Sequence, residues 1–272
     1  MKILNSLIGL AIGLAILVGA VPAPEDGVIV PLNGSVPFPT NMTTTPDNAG
    51  PAGYDPSFDY FDYSTVQIWV GKAPQQTVGH LVGADLYKTV WGQLDHYCPD
   101  NSQTRWGGVK WGHCDNPSGL GFPARCMYIP PASVIDCYTQ IYAVWGEWEN
   151  DKIRRLLIGA VAGTLEALTK DQPITAHSNC FQLEGRVACN VGDAIRVNMP
   201  PTGVGNNEKN YLHIMLKNSG SWYSDYHCCE SRYLVDRAID GLGQEIADSF
   251  PQWWGRQFTR DSRCIINGWT SC

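Results

Sequence analysis

A histidine next to a carboxylate is the residue pairing in this sequence that best suits acid–base catalysis. Of the 6 histidines, His96 directly follows Asp95, and His227 lies two positions after Asp225. An imidazole titrates near neutral pH and a carboxylate can orient it, so either pair would suit a small hydrolase. Neighbours in sequence need not face each other in a fold, so these four residues are candidates for catalysis and not yet a site.

The usual catalytic motifs are absent from the sequence. It contains no GxSxG, HExxH, P-loop or GxGxxG motif and no CxxC pair, which disfavours lipases, metalloproteases, kinases and enzymes that use a nucleotide cofactor. Glycoside hydrolysis needs two carboxylates across a cleft, but Glu147 and Glu149 would face different sides of the helix expected there. We therefore expect no cofactor, no metal site and, more generally, no enzyme.

Tryptophan provides the candidate binding residues. Five of the 10 tryptophans precede a glycine, and two of these, Trp106 and Trp111, lie in the segment TRWGGVKWGHC. Exposed indoles can stack on sugar rings, which would fit a carbohydrate-binding or wall-associated module. The alternative is that the indoles fill a small disulfide-rich core in which glycine permits close backbone approach.

The amino terminus predicts export from the cell. Lys2 is followed by a long apolar run and then by small residues, among them Val18 and Ala20. This is the pattern of a signal peptide over residues 1–20, and we expect a secreted protein.

The rest of the chain divides by composition. Residues 21–56 are rich in Pro, Gly, Thr and Asn and contain two N-glycosylation acceptors, Asn33 and Asn41, which indicates a disordered leader or pro-segment. Residues 57–272 are expected to form one domain stapled by cysteines.

All 10 cysteines follow the predicted signal peptide. An even number in an exported chain indicates disulfides, and we expect five of them without assigning the pairs. Cys228 and Cys229 are adjacent and are expected to reach different partners. The cysteines are Cys98, Cys114, Cys126, Cys137, Cys180, Cys189, Cys228, Cys229, Cys264 and Cys272.

The charge of the chain argues against two classes of partner. The formal net charge is −7 at pH 7 and there is no long Lys/Arg run. Nucleic acid and anionic membranes both attract basic proteins, so neither is expected as a partner.

Hydrophobic periodicity predicts the elements that would position these residues. We expect helices over residues 77–96, 133–150, 150–170 and 233–250, with Asn150 capping the third. Strands are expected over 64–70, 186–190, 194–199 and 211–216, and a cysteine-stapled loop region over 97–132. The fold class is α+β, with an antiparallel sheet on which the helices pack.

The third helix is the most apolar of the four. Between Leu156 and Leu168 only Thr164 and Glu166 are strongly polar, so this helix is expected in the core, the alternative being a segment that inserts into a membrane. Gly159 and Gly163, like Gly79 and Gly83 in the first helix, are spaced for close helix packing.

A dibasic pair, Arg154 and Arg155, lies at the start of that helix. It predicts either a cleavage site for a Kex-type processing protease, at Arg155, or a cationic first turn on an exposed helix face. The two alternatives differ in whether the chain is extended at this point.

The signal peptide, the Pro-rich leader, Arg154-Arg155 and the cysteines from Cys98 to Cys272 together resemble the plan of fungal secreted cysteine-rich proteins of the killer-toxin-like and effector-like kind. That resemblance implies an α/β sandwich that acts on membranes or cell-wall receptors without a catalytic centre. We therefore expect a toxin-like or effector-like protein whose partner is a cell-surface glycan, a receptor or a membrane. A carbohydrate-binding module and a small secreted hydrolase remain as alternatives.

Overall fold

The computed structural model describes twelve segments of the chain. They are residues 65–71, 76–100, 103–104, 110–115, 120–128, 133–170, 174, 178–200, 210–218, 228–241, 259–266 and 269–270. The predicted signal peptide and leader, including Asn33 and Asn41, lie outside these segments.

Twelve strands and three helices occur in the described residues. In chain order they are β1 (Thr65–Gly71), β2 (Gln76–Gly79), α1 (Gly83–Tyr97), β3 (Gln103–Thr104), β4 (Lys110–Asp115), β5 (Leu120–Tyr128), β6 (Ser133–Trp148), α2 (Asp151–Thr169), β7 (Cys180–Leu183), β8 (Arg186–Val191), β9 (Ala194–Met199), β10 (Asn210–Asn218), α3 (Cys228–Gly241), β11 (Thr259–Ile266) and β12 (Trp269–Thr270).

The strands form one large and one small sheet. The large sheet has nine strands in the order β12-β11-β1-β9-β10-β6-β4-β3, with β5 also paired to β6, and the small sheet has the order β2-β8-β7. The predicted α+β, disulfide-rich class is confirmed. The predicted antiparallel sheet is found in part: the large sheet is mixed, because β1 and β11 run parallel whereas its other strand pairs, such as β9 and β10, are antiparallel.

Helix α2 lies in the core, as the sequence predicts. Asn150 caps it through its side-chain oxygen, which accepts a hydrogen bond from the backbone N–H of Ile153 at 3.0 Å. Leu157, Val161, Leu165 and most other residues of the helix are buried. Helices α1 and α2 pack against each other. None of the described helices combines the length and the apolar character needed to cross a bilayer.

The helix predicted over residues 133–150 is wrong, since this segment forms the 16-residue strand β6. The register between β6 and β10 shifts at Met215/Leu216, so that Ala143 pairs with Met215 and Ile141 with Leu216. Tyr142 is therefore an extra residue in β6, as in a β-bulge. Because of the bulge, Ile141 and Val144 lie on the same face of the sheet although they are three positions apart in sequence. A spacing of three between apolar residues is also typical of a helix.

Two further boundaries differ from the expectation. The predicted helix 77–96 begins as strand β2, and α1 starts only at Gly83, because Gly79 and Gly83 both adopt positive φ (59° and 57°) and turn the chain. Gly79 is therefore not in a helix. Much of the expected loop region 97–132 is strand, namely β3, β4 and β5. The strands predicted around β1, β8, β9 and β10 are confirmed.

Four disulfides join described residues. They are Cys98–Cys114, Cys126–Cys137, Cys180–Cys189 and Cys228–Cys264. Cys229 is also disulfide-bonded, whereas Cys272 lies outside the described residues. Cys228 has the distant partner that its position suggested, and it does not share that partner with Cys229.

We expect all ten thiols of the native protein to be paired. Treatment with a thiol-alkylating reagent before reduction should add no mass, and full reduction should allow ten additions. Each bridge typically contributes about 2–4 kcal/mol, so reduction should also lower the melting temperature markedly. Uptake of the reagent by the unreduced protein would show free cysteines and contradict the prediction.

Candidate functional site

The central strands of the large sheet have two unlike faces. One face carries apolar residues such as Ile68, Val197 and Leu212, which belong to the hydrophobic core together with residues of all three helices. Side chains alternate along a strand, so the intervening residues point away from the helices. We call this second surface the polar face. It comprises Gln67, Trp69, His113, Asp115, Trp145, Glu147, Arg196, Asn198, Tyr211 and His213.

Two rows of paired residues make up the polar face. The first row runs across five strands in the order Trp69, Arg196, His213, Trp145 and Asp115. The second row, two residues along each strand, runs in the order Gln67, Asn198, Tyr211, Glu147 and His113. The sheet thus gathers two indoles, a phenol, two imidazoles and several charged or amide groups from distant parts of the chain.

Arg196 is the cation at the centre of the polar face and is only 5% exposed. Its guanidinium lies 5.7 Å from the ring centre of Trp69 and 5.0 Å from that of Tyr211. Its Nε donates to Oδ1 of Asn198 at 2.9 Å, and the Asn198 amide donates to Gln67 at 3.3 Å. Aromatic rings stabilise a desolvated cation, so this arrangement holds the guanidinium in one place.

His213 lies beside Arg196 and is uncharged at neutral pH. Burial, followed by the nearby positive charge of Arg196, lowers the pKa of His213 from 6.5 to about 3. Its ring meets the indole of Trp145 edge to face, with the ring centres 5.7 Å apart. A group with this pKa does not exchange protons near pH 7, which argues for packing or hydrogen bonding over acid–base catalysis.

The exposed rim of the polar face lies on β4, β6 and β10. His113 and Asp115 are exposed, and Trp145, Glu147 and Tyr211 are half-buried. His113 pairs with Glu147, and Asp115 with Trp145. A ligand in solution would reach the polar face through these five side chains.

A carboxyl group with a perturbed pKa, that of Asp193, lies at the turn between β8 and β9. Burial raises the pKa of Asp193 from 3.8 to about 6. The carboxylate lies where a side chain on Gly71 would stand, so only glycine leaves room for it there. Burial, with the charge of Asp193, raises the pKa of Tyr142 as well.

The structure assigns Asp95 and His96 to different contacts. The Asp95 carboxylate pairs with the guanidinium of Arg154 at 2.7 Å, whereas the His96 ring is exposed and meets Tyr97 edge to face at 4.9 Å. Asp225 and His227 lie outside the described residues. The hydrolase hypothesis therefore depends on His227 and stays a prediction.

The remaining predicted residues are placed as follows. Trp106 lies outside the described residues. The backbone of Trp111 belongs to strand β4, but its side chain is not among the parts of the chain that the structure describes. Glu147 belongs to the polar face, whereas Glu149 is buried and accepts a hydrogen bond from Asn210 at 3.2 Å. Arg155 is in the first turn of α2. In the parts of the chain that the structure describes, no group of three or more His, Cys, Asp or Glu residues could hold a metal ion.

Sequence reasoning missed most of the polar face. A period of two in IRVNM of β9 and in YLHIM of β10 does place Arg196, Asn198, Tyr211 and His213 opposite apolar neighbours. That signal identifies a face on each strand, but it does not reveal which strands are neighbours.

The chain matches no protein-family model, no curated protein and no solved structure.

Proposed function

We propose that this protein is a secreted, disulfide-stabilised, non-enzymatic protein of the toxin-like or effector-like kind, which acts at the surface or membrane of another cell through its polar face. The supporting observation is the concentration of aromatic, charged and amide side chains on the sheet face opposite the helices. The residues of this face that solvent reaches are Trp145, Glu147, Tyr211, His113 and Asp115, and Trp and Tyr are enriched among the residues that contribute most to recognition interfaces.

The chemistry of the polar face favours recognition. Arg196 lies against the rings of Trp69 and Tyr211, and the ring of His213 packs edge to face on Trp145, so both side chains are held in place before any ligand arrives. Fixed side chains lose little conformational entropy on binding. The disulfides suit an extracellular setting, where thiols are oxidised.

Binding of labelled protein to a panel of intact cells tests the proposal. Trp145→Ala should weaken binding at least about tenfold, because truncating a tryptophan that acts as an interface hot spot costs about 2 kcal/mol or more. Glu147→Gln should weaken binding by a smaller factor, because it removes only the charge. Tyr233→Ala is the matched control, since this exposed tyrosine lies on α3 and not on the sheet. Binding that is unchanged by both polar-face variants, or no binding to any cell, would contradict the proposal.

A carbohydrate-binding or wall-associated module is the second candidate. Trp145 and Tyr211 bring two half-buried rings to the same rim as Glu147, and aromatic rings beside carboxylates suit sugars, which combine apolar faces with hydroxyl groups. Titration of soluble glucan, mannan and chitin oligosaccharides against the protein, followed by tryptophan fluorescence, distinguishes this candidate from a protein or lipid target.

A further inference from the structure

Among its five described side chains, the exposed rim of the polar face has two carboxylates and no Lys or Arg. Asp115 is exposed and Glu147 is half-buried, with the imidazole of His113 beside Glu147. Arg196, the cation at the centre of the face, is only 5% exposed. Lys217, an exposed cation of β10, lies six residues beyond the position that pairs with Glu147, which is about 20 Å along the strand. A ligand at the rim therefore meets mainly negative charge.

Trp145 lies between these two carboxylates. Asp115 is its partner on the neighbouring strand β4, and Glu147 follows it by two positions on β6, so all three side chains are on the same face. Asp115 and Glu147 are diagonal neighbours across two antiparallel strands, and such positions are about 7–8 Å apart. A single ammonium or guanidinium group can therefore contact the indole and both carboxylates at once.

The indole of Trp145 has no cation against it within the described parts of the chain. Its neighbour on β10 is His213, which is uncharged because burial, followed by the positive charge of Arg196, lowers its pKa to about 3. Arg196 itself lies against the rings of Trp69 and Tyr211. Trp145 is half-buried, so solvent reaches part of the ring. Because aromatic rings attract cations, this indole suits a cation that comes from a partner.

We propose that the exposed rim binds a basic segment of a protein on the target cell, with a lysine or arginine side chain of that segment between Trp145, Asp115 and Glu147. This inference rests on the proposed function, because it names the partner of the same face. Alternate side chains of an extended segment are about 7 Å apart, which matches the two-residue step from Trp145 to Glu147. The next basic side chain of the segment therefore lies over Glu147 and His113.

Charge distinguishes this partner from the other components of a cell surface. Neutral sugars do not respond to the charges of Asp115 and Glu147. A phosphatidylcholine headgroup brings a phosphate with its ammonium group, and anionic lipids bring further negative charge, which the two carboxylates repel. A basic protein segment carries positive charge without an accompanying anion, so it is complementary to the rim and to a chain whose formal net charge is −7.

A labelled nine-residue peptide in which lysine alternates with glycine tests the proposal on the whole secreted protein by fluorescence anisotropy. Asp115→Asn and Glu147→Gln should each weaken its binding about threefold, because each removes one ion pair. Trp145→Leu, which keeps an apolar side chain and removes the ring, should weaken it about fivefold. Asp85→Asn is the matched control, since it removes the same charge from an exposed position on α1 and should leave binding unchanged.

Three results of this titration would overturn the proposal. Equal effects of Asp85→Asn and Asp115→Asn would show that the peptide responds only to the net charge of the protein. Equal binding of a peptide with glutamine in place of lysine would show that no cation is recognised. Tighter binding of phosphatidylcholine vesicles or of chitin oligosaccharides than of the lysine peptide would assign the rim to a lipid or to a sugar.

Intact cells separate a failure of this inference from a failure of the proposed function. Trypsin treatment of the cells, or an excess of the lysine peptide, should abolish the binding of labelled protein. Cell binding that Trp145→Ala weakens, but that survives both treatments, would overturn the basic protein segment and leave the proposed function in place. No binding to any cell would contradict the proposed function itself, whatever the peptide does.

Discussion

Arg154→Met is expected to lower the free energy of unfolding by about 2 kcal/mol, because it removes a nearly buried guanidinium that pairs with Asp95 and donates to a buried carbonyl. The Arg154 side chain is 6% exposed, and Asp95, its partner, is 32% exposed. The substitution also removes the hydrogen bond to the carbonyl of Cys98, at the C-terminal end of α1. Chemical denaturation, followed by circular dichroism, measures the loss.

Arg155→Met is the matched control for that experiment. The Arg155 side chain is 54% exposed and its Nε lies 3.6 Å from Oδ2 of Asp151, and exposed ion pairs of this kind contribute about 0–1 kcal/mol. The control should therefore unfold close to the wild-type denaturant concentration. Equal destabilisation by the two substitutions would show that Arg154 does not have the structural role that its contacts indicate.

The outcome for residues 133–170 shows where sequence reasoning works on this chain. Helix α2 could be predicted from the sequence because the features that define it are close together in the chain. Asn150 caps the helix, and the apolar residues that follow recur with helical periodicity. Strand β6 is rich in β-branched and aromatic residues such as Val144 and Trp145, which favour strands. Its bulge at Tyr142 broke the alternation that would have identified it.

The polar face could not be predicted from the sequence, for a different reason. Trp69 and Arg196 are 127 positions apart in sequence, and their contact exists only because β1 and β9 pair. No spacing rule connects such positions, since the pairing is decided by how the whole sheet assembles. The Asp95–His96 pair illustrates the converse, because adjacency in sequence suggested a joint role while the fold directs Asp95 to Arg154.

The perturbed pKa values of His213 and Asp193 should change the stability of the protein with pH in opposite directions. The folded pKa of His213 is lowered from 6.5 to about 3. As pH falls below 6.5 the unfolded chain takes up a proton that the folded protein does not, so stability is lost at up to about 1.4 kcal/mol per pH unit.

The perturbed pKa of Asp193 changes the free energy of unfolding with pH in the opposite direction. Its folded pKa is raised from 3.8 to about 6, so between these values the folded protein holds a proton that the unfolded chain has lost. Stability from this group is therefore present at low pH and is lost as pH rises through 6. Because the carboxyl is partly exposed, we expect a slope of about 1 kcal/mol per unit, which largely offsets that of His213 between pH 4 and 6.

Asp193→Asn should uncouple these two effects. The variant keeps the shape of the side chain and removes its charge, so at pH 7.5 it should be more stable than the wild type by about 2 kcal/mol. Near pH 4 the difference should vanish, because the wild-type carboxyl is then protonated in the folded state. The free energy of unfolding of this variant should therefore fall on acidification with the full slope that His213 contributes, because Asp193 no longer offsets it.

His213→Gln should show the reverse, a free energy of unfolding that rises as pH falls from 6 to 4. Urea denaturation at pH 4, 5, 6 and 7.5 measures these slopes independently of any constant offset that a substitution introduces. Parallel profiles for the wild type and both variants would mean that neither group is perturbed by its surroundings in the folded protein.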